Sequence, residues 1–308
     1  MFNTIIIGAG FSGLSLCLNF EIYKIKYLVI DNFQQNNFYN IINFPSYNNI
    51  SNTELKEKII NQIKNINNNF NILKDNIYKI IKKKNLYYVY SENGEIYKSS
   101  NIVLSYGYQT KKINIDNFDQ LYESKHIVNN LNNIDINDNN NIIIIGGGDS
   151  AFKNIEYIIN SHKNINIFLI CRNRALKMQT QYIEQIQQHK NIKIYFLSKI
   201  IKIENKVIEI QSKNQNYKIN YNYIVNCTGI SINTNIKIYV KNKVKNLIIK
   251  NNFIKTNKNY MTNIKNLYAI GILSSPQYQQ IINCMHTGFV VFENISKQNK
   301  NKTTYSYY

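Results

Sequence analysis

Two short glycine clusters constrain this chain more than any other feature. "GAGFSG" (8–13) and "GGGDSA" (146–151) each follow an unbroken apolar run and each lead into a helix-like pattern. The runs Ile5–Ile7 and Ile142–Ile145 read as buried parallel strands, because a strand covered on both faces has no solvent side on which to alternate polar residues. Gly8, Gly10 and Gly13 then permit a tight turn, a close backbone approach and close helix–strand packing. A helix opening at Phe11 and Ser12 leaves its first N–H groups free to meet an anion. The next apolar run, "YLVID" (27–31), ends at Asp31, 18 residues beyond Gly13. A carboxylate there can bond a ribose hydroxyl pair, and the order strand, turn, helix, strand, acid describes a dinucleotide cradle.

The same order recurs at Gly146, Gly147 and Gly148, with Asp149 and Ser150 opening the helix and Ala151 in the last small-residue position. Its outcome differs. The following strand, "INIFLI" (165–170), runs into Cys171 and Arg172, and no acid closes it. Arg172 and Arg174 are the only arginines in a chain that otherwise uses lysine, and Lys177 is close by. A 2′-phosphate would repel a carboxylate and attract planar guanidinium groups, so this segment is expected to select NADPH over NADH. Two cradles imply two dinucleotides: FAD at the first, NADPH at the second, with hydride passing between nicotinamide and flavin. The fold expected is α/β, built from two Rossmann-like nucleotide-binding domains.

Composition sharpens the reading of the glycines. Asn, Ile, Lys and Tyr dominate, with 25 Tyr, 2 Pro and 11 Gly. Drift toward A+T-rich codons explains that skew, so glycines that persist mark positions that need them. Gly107 ("IVLSYGY"), Gly229 ("IVNCTGI") and Gly271 ("LYAIGI") each follow a strand-like run. Net charge is +19, but the lysines are scattered along the sequence, and a nucleic-acid partner is not expected because its footprint is a clustered patch. No apolar stretch approaches the roughly 18 residues of a membrane span. The first strand pattern begins at Thr4, ahead of which no leader is expected. Cys17, Cys171, Cys227 and Cys284 are far apart in sequence and lack metal-ligand spacing. Reduced thiols in a cytoplasmic setting are expected, with no metal site.

With those residues in view, the sequence resembles the low-molecular-weight thioredoxin reductase family of flavoproteins over nearly its whole length. "GAGFSGLS", "VID" and "IVLSYG" are similar to that family's FAD half. "INFPSYNNISNTELKEKI" (42–59) resembles its N-[FW]-P-G segment and the helix after it. "IIIIGGGDSA" and "ICRNRALK" are similar to its NADPH half, and "LYAIGI" with "QYQQIINCMHTG" (277–288) to its closing segment and last helix. The resemblance implies a discontinuous FAD domain, 1–111 plus 232–308, with the NADPH domain, 112–231, inserted between the halves, each a three-layer ββα unit. It implies flavin-side contacts at Asn43, Ile77, Gly107, Gly271, Ile272, Gln280 and Ile281, and a homodimer. The helix beginning near Gln280 would direct its N-terminal dipole at the flavin.

Departures from the family pattern shape the functional expectation. A thioredoxin reductase carries a C-x-x-C just before the second glycine cluster, and 121–141 contains no cysteine. The dithiol-free branch, the thioredoxin-reductase-like ferredoxin–NADP reductases, has a short helix there after a histidine-aromatic stretch, and "KHIVNNLNNI" is compatible with it. The partner this implies is ferredoxin or flavodoxin, with thioredoxin as the alternative if two cysteines meet in space. Ile272 stands where the family has Asp, and "QQNN" (34–37) where it has G-G-Q. A non-catalytic dinucleotide-binding remnant is the third reading. Cys284 reads as a buried inert thiol, and "TTYSYY" (303–308) as a frayed tail. Hydride transfer needs alignment rather than an acid or base, so no catalytic side chain is assigned.

Overall fold

The computed structural model describes residues 1–33, 40–41, 43–131, 134–161, 164–178, 180–213, 215–232, 236–274 and 280–299. The chain divides into two compact units, residues 1–109 with 232–308, and residues 110–231.

In the first unit the strand Phe2–Ile7 lies between Tyr27–Asp31 and Ile96–Leu104, parallel to both. Leu73–Lys74 extends this parallel sheet beyond Tyr27–Asp31, and Leu267–Ala269 pairs with the end of Ile96–Leu104. The all-isoleucine run divides its side chains by simple alternation. Ile6, Val29 and Val103 face a core shared with the helices Phe11–Ile22, Asn52–Ile66 and Ile281–Asn299. Ile5, Ile7, Ile30, Ile102 and Leu104 face the other way, onto Ile80, Tyr87, Val89 and Ile238. Those residues belong to an antiparallel meander, Ile77–Lys83, Leu86–Ser91 and the first half of Ile96–Leu104, edged by Lys237–Val240 and Lys243–Val244. Burial on both faces of the parallel sheet is why its strands carry no polar alternation.

The second unit repeats the plan. Its parallel strands run in the order Ile127–Val128, Tyr223–Asn226, Asn141–Ile145, Asn166–Ile170, Ile192–Tyr195. Ile142, Ile144, Ile167 and Leu169 pack under the helix Asp149–Ser161, and Ile143, Ile145 and Ile170 pack toward the meander Ser198–Glu204, Val207–Ser212, Gln215–Asn220. The expected α/β class with two Rossmann-like, three-layer units is therefore what the chain adopts. No helix among the described residues is long and apolar enough to cross a membrane.

Candidate functional site

At the first turn, Gly8 lies at φ +105°, and a Cβ there would stand 2.4 Å from the Ser105 backbone. A Cβ on Gly13 would stand 2.3 Å from the Gly8 carbonyl oxygen. The chain's own packing thus demands both glycines. Gly10 differs: the nearest atom to a Cβ would be 3.7 Å away, an ordinary contact. Gly10 caps the helix Phe11–Ile22 without a side-chain hydrogen bond, so Phe11 and Ser12 open an uncapped helix start. The Asp31 carboxylate stands over this turn, accepting from the Ala9 N–H at 2.5 Å and the Phe33 N–H at 2.7 Å. Each oxygen keeps acceptor capacity for a hydroxyl. An uncapped helix start, a middle glycine that the chain's own packing does not require and a carboxylate beside it fit the pyrophosphate and ribose of a dinucleotide.

The closing segment converges on the same turn. Gly271 lies at φ +65°, a Cβ on it would be 2.5 Å from Ser12 Oγ, and its N–H donates to Thr287 Oγ1 at 2.7 Å. Thr287 in turn donates to the Cys284 carbonyl at 2.6 Å. A Cβ on Gly288 would be 2.5 Å from the Ser12 carbonyl oxygen, so the last helix crosses the first at backbone contact. Ser12 and Ser105 join hydroxyls at 2.9 Å. The sequence pointed to Ser12 but not to its partner Ser105 or to Thr287; only the placement of Ser105 shortly before the retained Gly107 hinted at the pair. Gly107 takes a positive φ of 73° just past Ser105. Ile272 is half-buried in the short 3-10 turn Gly271–Leu273, Gln280 is exposed, and Ile281 opens the helix Ile281–Asn299. Ile77 lies two residues beyond Asp75, whose N–H bonds the Asp31 carbonyl, and its side chain packs on the sheet–meander core. Asn43 is exposed in a bend before Pro45. Segments 34–37 and 303–308 lie outside the described residues.

The second turn has the same division of labour. Gly146 lies at φ +131°, with its Cβ position 2.2 Å from the Cys227 carbonyl oxygen, and Gly147 would press on Cys171 Sγ at 3.0 Å. A Cβ on Gly148 would meet nothing within 4 Å. Ala151 is fully buried in the third position, while Asp149 and Ser150 are exposed at the helix start. The 172–178 loop folds back over the turn: the Lys177 N–H donates to the Gly147 carbonyl at 2.6 Å, and Leu176 lies against Gly147. Arg172, Arg174 and Lys177 are all exposed on this loop, and no ion pair among the described residues engages them. Gly229, at φ +103°, also borders open space and accepts from the Lys111 N–H.

The four cysteines are free thiols. Cys171 and Cys227 flank the second turn from the strands on either side of Asn141–Ile145, two strand spacings or about 10 Å apart, beyond the roughly 7 Å a disulfide tolerates. Burial pushes both thiols up to about 11, offset in part at Cys227 by hydrogen bonds from Ser150 and Asn154. Burial also holds Cys17, beside Tyr27, far above the usual thiol range. Cys284 has different surroundings, near Tyr108, Tyr260 and the Ile272 backbone. The stretch lacking the dithiol is spent on packing: Ile127 and Leu131 are fully buried. Its short helix, Phe118–Glu123, precedes His126 rather than following it. After His126 the chain is extended instead, because β-branched Ile127 and Val128 complete the sheet edge against Ile224 and Val225. No group of His, Cys, Asp or Glu among the described residues could hold a metal ion.

Comparison with known proteins places this geometry. The family described as pyridine nucleotide-disulphide oxidoreductase matches over residues 2–288. Similar solved structures include thioredoxin reductase of Lactococcus lactis, with 18% identity, TM-score 0.78 and coverage of 96% of this chain and 98% of that one. Thioredoxin reductase of T. acidophilum has 14% identity, TM-score 0.78 and coverage of 97% and 98%. Bacillithiol disulfide reductase of Staphylococcus aureus has 14% identity, TM-score 0.76 and coverage of 97% and 99%. The sequence has no match among curated proteins.

Proposed function

The chain belongs to the pyridine nucleotide-disulphide oxidoreductase family, whose thioredoxin-reductase-like members use FAD and NADPH, and from that premise we propose that it passes electrons from NADPH through FAD to a ferredoxin or flavodoxin. The observation that carries this reading is the missing dithiol. A thioredoxin reductase passes its electrons to the substrate disulfide through a C-x-x-C dithiol, by thiolate attack and exchange. Here the segment that would hold them supplies Ile127 and Leu131 to the core.

FAD is assigned to the first unit and NADPH to the second. Bound FAD would supply the hydride-accepting, electron-carrying chemistry that links NADPH to the acceptor. The chain's part is positional. The helix start at Gly10, Phe11, Ser12 and Gly13 would hold the flavin nucleotide's pyrophosphate, and Asp31 would hold its ribose. The Thr287 hydroxyl fixes the Gly271 backbone against Ser12. In the second unit Gly148 and the start of the helix Asp149–Ser161 take the NADPH pyrophosphate. Arg172, Arg174 and Lys177 take the 2′-phosphate, and the backbone bond from Lys177 to Gly147 ties that loop to the turn.

The test is replacement of Cys17, Cys171, Cys227 and Cys284 together, by alanine where buried and serine elsewhere. NADPH-dependent reduction of flavodoxin or ferredoxin is expected to survive. Its absence in the parent protein, or a disulfide reductase activity abolished by the replacements, contradicts the proposal.

A further inference from the structure

Four lysines that are scattered along the sequence, Lys79, Lys83, Lys98 and Lys237, meet on one sheet face. In the first unit's meander, the inward side chains Ile80, Tyr87, Val89 and Ile238 fill the core. Strict alternation then turns Lys79, Tyr88, Tyr90 and Tyr239 outward, and the register sets Tyr88 opposite Lys98 and Tyr90 opposite Lys79. None of these outward residues packs in a core cluster.

The face is ordered by its own contacts. The Lys79 ammonium lies 5.0 Å from the centroid of the Tyr90 ring and 5.4 Å from that of Tyr239. Lys83 and Lys98 each lie 5.5 Å from the Tyr88 ring centroid. Cation–π attraction therefore holds the ammonium groups over three aromatic rings. A second feature is not self-compensated: Lys237 stands directly opposite Lys79 on the same face. Like charges so placed are destabilising, and no described ion pair relieves them. The outward positions of these strands contain no Asp or Glu.

We propose that this face binds single-stranded nucleic acid, whose phosphates draw the lysine ammonium groups off the rings and whose bases take their place on Tyr88, Tyr90 and Tyr239. Interleaved cations and aromatic rings are what a single strand requires, since every base offers a π-face and every linkage a negative charge. Dimensions decide against a long-lived complex with an acidic protein. Five strands and about four residues span roughly 20 Å by 13 Å, well under half of the ~800 Å² that a stable protein partner covers.

The experiment is fluorescence anisotropy of a labelled oligothymidine of about twelve nucleotides against the full chain over a salt series. Binding is expected, with log K falling on log salt at a slope of about −2 to −3, about −0.7 per phosphate contacted. Replacing Lys79, Lys83 and Lys98 by Gln is expected to flatten the slope by about 2. Tyr88→Thr with Tyr90→Thr is expected to weaken binding about tenfold or more at an unchanged slope. Lys190→Gln, Lys193→Gln and Lys218→Gln, on the exposed surface of the other unit, serve as the charge-matched control and are expected to leave affinity within about twofold. Circular dichroism verifies that each variant is folded. Four results would each overturn the proposal: no binding, tighter binding to duplex, equal loss in the control, or an altered sedimentation mass in the face variants, which would make the face a contact between copies.

Discussion

Gly146→Ala and Gly148→Ala separate what the fold needs from what a ligand needs. The two positions are two residues apart in one turn, yet their surroundings differ completely. At Gly146 the new methyl would sit 2.2 Å from the Cys227 carbonyl oxygen on a backbone at φ +131°. Left-handed backbone strain costs roughly 1–2 kcal/mol in an L-residue, and forced displacement of packed backbone about 1–3 kcal/mol more. A loss of roughly 2–5 kcal/mol follows, seen as a fall in Tm on the order of 10 °C. At Gly148 the methyl enters open space, and replacing a helix cap glycine by alanine costs only about 0.5 kcal/mol. That open space is where the account seats the NADPH pyrophosphate, so KM for NADPH should rise at least about tenfold, a loss of about 1.4 kcal/mol. Thermal melts without nucleotide and initial-rate kinetics measure the two effects separately. A Gly148→Ala protein with an unchanged KM for NADPH would refute the assignment of this turn.

Three further outcomes are expected. Arg172→Ala with Arg174→Ala should raise KM for NADPH by about a hundredfold or more while leaving NADH nearly unaffected, since each charge-assisted hydrogen bond is worth about 1.5–3 kcal/mol; equal effects would mean that the 2′-phosphate lies elsewhere. Ser46 occupies the Gly position of the N-[FW]-P-G pattern and adopts φ +72°, so Ser46→Gly should raise the melting temperature by relieving about 1 kcal/mol of strain. Cys171 and Cys227 titrate near 9.0 when unfolded and are pushed up to about 11 by burial. The folded state therefore holds their protons more tightly, and this contribution is complete below about 9 and lost as pH rises toward about 11. Urea midpoints measured across that window should fall, and less steeply with both cysteines replaced by alanine.

Much of the fold was legible because the glycines and the isoleucine runs obey local rules. Gly8 and Gly146 announce turns that only a left-handed backbone can make, and Asp31 against Arg172 sets the two turns apart by charge, the basis on which FAD and NADPH are proposed for them. Other features depend on register and were invisible. Ser105 touches Gly8 because two distant strands are neighbours, and Thr287 reaches Gly271 because the last helix crosses the first. Lys79 and Lys237 are far apart in sequence and opposite in the sheet, so counting lysines along the chain could not reveal their clustering. The segment after His126 went astray for a similar reason: its extended form is stabilised by pairing, as the sheet edge, with the strand Tyr223–Asn226, nearly a hundred residues away.

The most direct test of the central claim is the visible absorption spectrum of the purified protein before and after anaerobic addition of NADPH. The account predicts a yellow protein whose flavin band bleaches with NADPH and does so far less readily with NADH. A colourless protein that takes up no FAD, or bound FAD that NADPH leaves oxidised, would contradict it.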